Sequence, residues 1–248
     1  MREELMPSHV IILGCGRSGT SIFGELFEHI PGYKYYSEPS FDLVVDLSFA
    51  RPVAIKVPKE SDCYPPPPGL SFPLDTMLSI MPERKQFYWQ VRHPLDAIAS
   101  LRPGISNDWG HHPRPPDWRD WLQHPLIERC AHHWAYINSV GYESVKALVK
   151  ICRFEEMLND PKEFAHQICS EIGVNPARCI QELASWSERV QNTNNKKFIE
   201  ARASRSLSRA DHKYRIGRWK ENLGQEDLRQ VIPIVRETAE IYGYEVSN

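Results

Sequence analysis

A glycine-rich segment near the amino terminus carries the residues whose types and spacing point most directly to chemistry. Residues 14–21 read GCGRSGTS and stand between a short apolar run and a stretch with helical spacing of apolar residues. Backbone N–H groups of a glycine turn at a helix N-terminus form a cradle for an anion such as a phosphate. The same residues can also form a tight strand-to-helix turn without a ligand. The predicted anion contacts are Gly16, Arg17, Ser18, Gly19, Thr20 and Ser21.

This segment differs from the phosphate loop of kinases and ATPases in one position that matters for mechanism. That loop reads G-x-x-x-x-G-K-[ST], and its lysine reaches the terminal phosphates while Ser or Thr binds magnesium. Here Thr20 follows Gly19, so the lysine is missing, and Arg17 places a cation inside the loop instead. Such a loop suits an anionic leaving group that is stabilised by side-chain donors rather than by a metal ion.

The elements that must position this loop follow the pattern of an α/β fold. Short apolar runs rich in β-branched and aromatic residues predict strands, and apolar residues at helical spacing predict helices between them. Runs buried on both faces and separated by helices favour a parallel sheet. The predicted strands are His9–Gly14, Tyr33–Tyr36, Pro52–Val57, Phe87–Val91 and Val149–Phe154. The predicted helices are Ser18–Ile30, Pro94–Leu101, Pro125–Leu148, Pro161–Ile172, Pro176–Val190 and Gln225–Tyr242.

Two stretches are predicted to be irregular, at residues 61–73 and 102–124. The second is rich in Pro, Trp and His, and a loop of this length is typical of a lid or a binding loop. It can build an aromatic wall or lid for an acceptor, or it can simply pack against the long helix that follows. We see no internal repeat and no domain boundary. We therefore predict one domain over residues 1–248, with a possible acceptor lid at 102–124.

Composition excludes several classes of protein. The chain has 248 residues, a formal net charge of −2 and 41% hydrophobic residues, as is usual for a globular protein rather than a disordered one. No apolar run approaches the length that spans a bilayer, and the first residues lack the pattern of a signal peptide. The six cysteines include no C-x-x-C pair. These features predict reduced cysteines, a cytoplasmic location and no membrane partner.

A basic stretch from residue 196 to 220 has a net charge of +7 and indicates an anionic ligand or a solvated loop. The overall pI near 6.6 argues against a broad nucleic-acid surface.

Three ordered motifs resemble those of sulfotransferases that use 3′-phosphoadenosine 5′-phosphosulfate (PAPS). Residues 14–21 are similar to the phosphosulfate loop, in the Arg-Ser-Gly-Thr form of bacterial, carbohydrate and tyrosylprotein members. FYWQVRHPLDAIAS resembles the 3′-phosphate segment and matches Arg92 and Ser100 at the family spacing of eight. KYRIGRWKENL resembles the carboxy-terminal cofactor segment. There the resemblance implies cofactor contacts at Tyr214, Arg215 and Trp219, and we favour Arg215 over Arg218 and Lys220.

The resemblance also implies which residues act in sulfuryl transfer. Glu38 in YKYYSEPS matches the proposed base of related enzymes, and Lys56 in PVAIKVPK matches a cation near the transferred group. The implied mechanism is in-line: Glu38 takes the proton of an acceptor hydroxyl while Arg17 and Lys56 stabilise adenosine 3′,5′-bisphosphate as it leaves. No metal is expected, because the histidines lack metal-ligand spacing.

The chain departs from the cytosolic phenol and steroid enzymes, whose catalytic histidine has no match here. The expected acceptor is therefore a hydroxylated small molecule, a glycan or a peptide. Two alternatives remain: a P-loop nucleoside or small-molecule kinase, and a non-catalytic nucleotide-binding relative.

Overall fold

The apolar run His9–Leu13 forms the middle strand of a five-stranded sheet. The computed structural model describes residues 6–59, 65–106, 109–191 and 216–247. All neighbouring strands are parallel, in the order β2-β3-β1-β4-β5. The strands are β1 (His9–Leu13), β2 (Lys34–Ser37), β3 (Val53–Lys56), β4 (Lys85–Val91) and β5 (Val149–Arg153). The predicted α/β fold with a central parallel sheet flanked by helices is confirmed.

Helices connect the strands and cover both faces of the sheet. They are α1 (Thr20–His29), α2 (Phe41–Val45), α3 (Leu74–Ile80), α4 (Pro94–Ile105), α5 (Trp118–Trp121), α6 (Leu126–Tyr136), α7 (Phe154–Asn159), α8 (Pro161–Ile172), α9 (Ile180–Gln191), α10 (Trp219–Asn222) and α11 (Gln225–Ile241). A π-helical turn (Ile137–Gly141) follows α6, and a 3₁₀ turn (Pro176–Arg178) precedes α9.

Side chains of β1 alternate between two apolar cores because successive residues of a strand point to opposite faces. Val10 and Ile12 pack in the core that contains α1, α8 and α9, where Phe23 and Trp186 are fully buried. The other face packs against α4, α6 and α11, with Trp134 at its centre. A strand buried on both faces reads as a continuous apolar run, which explains the signal in the sequence.

The carboxyl ends of β1, β3 and β4 lie side by side, so the residues that follow these strands meet at one edge. Chain connections leave β1 toward β2 and β3 on one side and continue to β4 on the other. Ligands of open α/β sheets bind at such a point, outside the carboxyl ends of the strands. The fold therefore places the loop after Leu13, the residues beyond Lys56 and the residues beyond Val91 around a common crevice.

Several element boundaries differ from those predicted. Helix α4 continues through Pro103 to Ile105, into the segment predicted to be irregular, and α5 lies within that segment. The predicted helix from 125 to 148 instead changes to the π-helical turn at Ile137, and the helical residues end at 143. In this turn Gly141 meets Gly69, and a Cβ atom at Gly141 would lie 2.5 Å from Gly69 O. Tertiary packing at this contact overrides the helical periodicity of the sequence.

Among the described residues, no helix is both long and apolar enough to cross a membrane. The five cysteines in this part of the chain are buried and none forms a disulfide: Cys15, Cys130, Cys152, Cys169 and Cys179.

Candidate functional site

The glycine loop leaves β1 and enters α1 along a path that requires glycine at two positions. Gly14 has φ 138°, and a Cβ atom there would lie 2.2 Å from Gln90 O on β4. Gly19 has φ 90°, and its Cβ atom would lie 2.3 Å from Cδ2 of Phe154. Both sites combine a left-handed backbone with close packing, which only glycine accommodates without strain. The loop thus wraps tightly over the sheet and presents its N–H groups at the start of α1.

A fully buried hydroxyl in this loop fits an anionic ligand. Ser18 has no exposed surface, and its Oγ finds no hydrogen-bond partner within the described residues. The side-chain amide of Gln90 is also fully buried, and neither its Nε2 nor its Oε1 has a hydrogen-bond partner among the described residues. Buried polar atoms are almost always satisfied, so these groups fit a site that a ligand or water completes. Thr20 is buried beside them, while Ser21 is exposed.

Arg17 joins the loop to both predicted parts of the 3′-phosphate segment. Its Nε donates to Ser100 Oγ at 3.0 Å, and its carbonyl accepts from Nη1 of Arg92 at 3.2 Å. Arg17 itself has a left-handed backbone, with φ 68°. The strand-end arginine and the serine on α4 therefore converge at the loop, as their spacing requires if they serve one anion.

Arg92 is held in a setting that favours a negatively charged ligand. Its side chain is 5% exposed, and its guanidinium lies 4.4 Å from the ring centroid of Phe154. Burial and the neighbouring Arg17 lower the pKa of Arg92, while Asp96 and Glu155 oppose that shift. A buried cation beside another cation gains the most when an anion enters between them.

Arg218 is a third cation at this place, in the basic stretch where the sequence favoured Arg215 as the cofactor contact. Burial, Arg92 and Arg17 together lower the pKa of Arg218 to about 10. Three guanidinium groups close enough to influence one another form a strong anion site. The signal for Arg218 was its location in the basic stretch. Tyr214 and Arg215 lie outside the described residues.

Asp96 fixes the turn that carries Arg218. Its two carboxylate oxygens accept hydrogen bonds from Gly217 N at 2.8 Å and Trp219 N at 2.9 Å. Asp96 lies in the first turn of α4 and is 1% exposed. The ring of Trp219 stacks on His93, with centroids 6.3 Å apart and planes at 5°. The carboxylate therefore clamps the backbone on both sides of Arg218.

Glu38 and Lys56 form the second predicted group. Lys56 Nζ donates to Glu38 Oε1 at 2.6 Å and to Ser21 Oγ at 3.0 Å, which ties the end of β3 to the start of α1. Burial raises the pKa of Glu38, but Lys56, Lys59 and His111 outweigh it, and the net pKa is lowered. A pKa near neutrality would suit a general base, and the structure shifts the pKa of Glu38 the other way because Lys56 stabilises the carboxylate.

Backbone strain is concentrated around this crevice. In the part of the chain that the structure describes, left-handed φ angles at residues other than glycine occur at Arg17, Glu38, Val57 and Trp109. The first three belong to or follow predicted site residues. Strained backbone conformations tend to cluster at functional sites. Trp109 extends the same pattern to the segment at 102–124.

The segment after α4 packs on the loop through His111, a residue without a predicted role. A Cβ atom at Gly16 would lie 2.9 Å from Nδ1 of His111, so the imidazole lies directly against the loop. Trp109 is fully buried, and its indole N–H donates to His133 Nδ1 at 3.2 Å. At Trp109 the segment therefore packs against α6. Whether it acts as a lid stays a prediction.

A small, partly open pocket lies between the loop and the segment that contains Pro113. It begins at Gly14 and Val57, next to Lys56 in the chain. Most of its lining is apolar and includes Leu13, Leu70, Phe72, Trp89, Pro113 and Ile137. Among the described residues, no group of three or more His, Cys, Asp or Glu side chains could hold a metal ion.

Comparison with known proteins shows what this fold is similar to. No protein-family model matches the chain, and no curated protein matches it by sequence. Solved structures do match. The mouse sulfotransferase SULT7A1 complexed with PAP has a TM-score of 0.57 at 14% identity, with coverage of 95% of this chain and 86% of that one.

Two further solved structures match the fold of this chain. Retinol dehydratase in complex with androsterone and the inactive cofactor PAP has a TM-score of 0.56 at 15% identity, covering 97% of this chain and 83% of that one. The sulfotransferase domain from the curacin biosynthetic pathway has a TM-score of 0.52 at 12% identity, covering 98% and 99%. The chain therefore has the fold of the sulfotransferases. At these identities the likeness is one of fold.

Proposed function

We propose that the protein is a sulfotransferase that moves a sulfuryl group from PAPS to a hydroxyl acceptor, in-line and without a metal ion. The observation that carries this proposal is the convergence of Arg17, Arg92 and Arg218 on the glycine loop at the N-terminus of α1. Three arginines around one loop favour a ligand of high negative charge, and a nucleotide with charged groups at both its 3′ and 5′ positions supplies it.

The residues present fit such a nucleotide in two places. The loop 14–19 offers N–H groups and the unsatisfied Ser18 hydroxyl for the 5′ side. Arg92, Ser100 and Arg218 lie toward α4 and suit the 3′-phosphate. Tyr214, Arg215 and Trp219 remain proposed contacts from the carboxy-terminal segment, of which only Trp219 lies within the described residues. Bound PAPS would supply the sulfuryl group.

Glu38 and Lys56 are the proposed catalytic pair, together with Arg17. Glu38 takes the proton of the acceptor hydroxyl, and its lowered pKa keeps it ionised at neutral pH. Lys56 Nζ bonds both Glu38 and Ser21 at the start of α1, which supports a role in stabilising the charge that develops during transfer. Arg17 stabilises the departing 5′-phosphate. The product is adenosine 3′,5′-bisphosphate.

The residues around Gly14 and Val57, next to Lys56, are mostly apolar and favour an acceptor with an apolar portion near its hydroxyl. The proposed acceptor is a hydroxylated small molecule, and a neighbour of the same fold binds androsterone. Glycan and peptide acceptors remain part of the proposal through the motif resemblance. One sulfotransferase domain spanning residues 1–248 completes it.

A nucleotide titration separates this proposal from the alternatives. We expect adenosine 3′,5′-bisphosphate to bind tightly without magnesium, and ATP with magnesium to bind at least tenfold more weakly. Tighter binding of ATP would favour the kinase alternative, since the loop lacks the lysine that a kinase needs.

The second step is a screen of hydroxylated metabolites, glycans and peptides with labelled PAPS, read as a mass gain of the acceptor. Turnover of any acceptor rejects the non-catalytic alternative. Bisphosphate binding with no transfer to any acceptor class would favour it.

A further inference from the structure

His111 occupies a gap between the loop and α4 that two glycines keep open. A Cβ atom at Gly16 would lie 2.9 Å from its Nδ1, and a Cβ atom at Gly104 would lie 2.2 Å from its Nε2. Any larger residue at either position would displace the imidazole. The ring is therefore enclosed between the middle of the loop and the last turn of α4.

The neighbouring segment holds this ring in place. Gly110 N donates to Gly104 O at 2.6 Å, which fixes the segment to α4. Arg114 Nε donates to the carbonyl of Trp109 at 2.9 Å, and Trp109 is buried against His133. The rings of His111 and His133 stack with centroids 5.8 Å apart. These contacts place the imidazole before any ligand arrives, as a preorganised site requires.

The charges that face His111 come from every side of this gap. Arg17 lies on the loop, Glu38 follows β2, His112 is the next residue, and His133 faces it from α6. The contact on α4 is Gly104, which carries no charge. Burial, Arg17 and His112 lower the pKa of His111 to about 4, against the opposing effect of Glu38. The imidazole is therefore neutral at pH 7 while the loop holds no anion.

We propose that His111 contacts the anion held by the glycine loop and takes up a proton as that anion binds. An anion on the loop offsets the charge of Arg17 and adds negative charge beside the imidazole, and both effects favour the imidazolium. His111 thereby becomes a fourth cation at the site, present only in the complex. This inference rests on the proposed function, because the nucleotide it concerns is adenosine 3′,5′-bisphosphate.

Proton uptake on binding is the direct test. Calorimetric titration with adenosine 3′,5′-bisphosphate at pH 6.5, in buffers of different ionisation enthalpy, counts the protons taken up. The His111→Gln variant keeps a polar side chain but cannot titrate, and His112→Gln is the matched control. We expect the uptake to fall by up to one proton in His111→Gln and to stay unchanged in His112→Gln.

The pH dependence of affinity gives a second measure. Between the pKa of about 4 in the free protein and the raised pKa of the complex, each unit of falling pH should strengthen wild-type binding by up to about tenfold more than binding to His111→Gln. That advantage should disappear as the pH rises through the pKa of the complex. Histidine NMR of the wild-type protein, with and without the bisphosphate, reports the same shift if the variant fails to fold.

The outcomes separate this inference from the proposed function. Bisphosphate binding with equal proton uptake in wild type and His111→Gln, or an unshifted imidazole resonance, would overturn the role of His111 and leave the sulfotransferase proposal intact. Failure of the wild-type protein to bind the bisphosphate would overturn both. If proton uptake were lost in His112→Gln rather than in His111→Gln, the titrating residue would be His112 and the role of His111 would be overturned.

Discussion

Arg17 Nε donates a hydrogen bond to Ser100 Oγ at 3.0 Å across 83 residues of sequence. This bond connects the glycine loop after β1 to the second turn of α4, which follows β4. Because Arg92 donates to the carbonyl of Arg17 as well, the loop and the segment predicted to bind the 3′-phosphate form one unit. Ligand groups bound at either end would therefore affect the same arginine.

We predict that Arg92 binds the 3′-phosphate of the nucleotide. Arg92→Ala removes a charge-assisted hydrogen-bond donor, and we expect adenosine 3′,5′-bisphosphate to lose about 1.5–3 kcal/mol of binding, or roughly 10- to 150-fold in Kd. Adenosine 5′-phosphate, which lacks the 3′ group, should lose much less. Calorimetry with both nucleotides checks this, and equal losses would show that Arg92 acts only by supporting the loop.

Asp96 should act through Arg218. Asp96→Asn keeps one oxygen acceptor for the two backbone N–H groups and loses the other, so the turn loosens and bisphosphate affinity should fall about three- to tenfold. A purely electrostatic effect has the opposite sign, since removing a negative charge near the arginines would tighten anion binding. The direction of the change in Kd thus decides between the two.

The double variant refines this prediction. If Asp96 positions Arg218, then Asp96→Asn in an Arg218→Ala background should cost little more than Arg218→Ala alone. Additive losses in Kd would mean that Asp96 supports another part of the site. Thermal unfolding of each variant provides the control for global stability.

The loop, β3 and β4 motifs could be assigned from the sequence because each follows a strand whose apolar run is unmistakable. Parallel strands bring their carboxyl ends together, so Glu38 meets Lys56 and Arg17 meets Ser100 once the strand order is known. The predicted helix Pro161–Ile172 agrees with α8 for a different, local reason. Asp160 caps its start and Gly173 follows its end.

His111 and Arg218 could not be singled out in the same way. The path of the chain beyond α4 depends on tertiary contacts, such as the fit of the imidazole against Gly104, which leave no periodic pattern in sequence. Arg218 is positioned by hydrogen bonds that Asp96, 122 positions earlier, accepts from Gly217 N and Trp219 N. The extension of α4 through Pro103 likewise contradicts the local rule that proline ends a helix.

Glu38 should be required for turnover and not for nucleotide binding. Glu38→Gln preserves the shape of the side chain and removes its basicity, so we expect kcat to fall by about 100-fold or more. The Kd for adenosine 3′,5′-bisphosphate should stay within about threefold of wild type. Stopped assays with labelled PAPS and an accepted hydroxyl compound measure the first, and calorimetry the second. An unchanged kcat would remove Glu38 from the proposed mechanism.

The Glu38–Lys56 pair should also make stability depend on pH. The folded pKa of Glu38 lies below its ordinary value of 4.5, so the pair stabilises the fold above that pH and loses its effect as pH falls through the folded pKa. Urea unfolding of wild type and Glu38→Gln should therefore show a free-energy difference at pH 7 that shrinks toward pH 3. A difference that is constant with pH would mean that the carboxylate charge is not involved.

Gly19 offers a test of how tightly the loop is built. Gly19→Ala forces an alanine to adopt φ 90° and places its Cβ atom 2.3 Å from Phe154. The left-handed backbone costs about 1–2 kcal/mol, and overpacking adds about 1–3 kcal/mol. Gly32→Ala is the matched control, since Gly32 has φ 89° and no atom within 4 Å of its Cβ position. Urea unfolding should show that Gly19→Ala loses more free energy than Gly32→Ala by the overpacking amount. Equal losses would mean that Phe154 moves aside freely and that the loop does not depend on this contact.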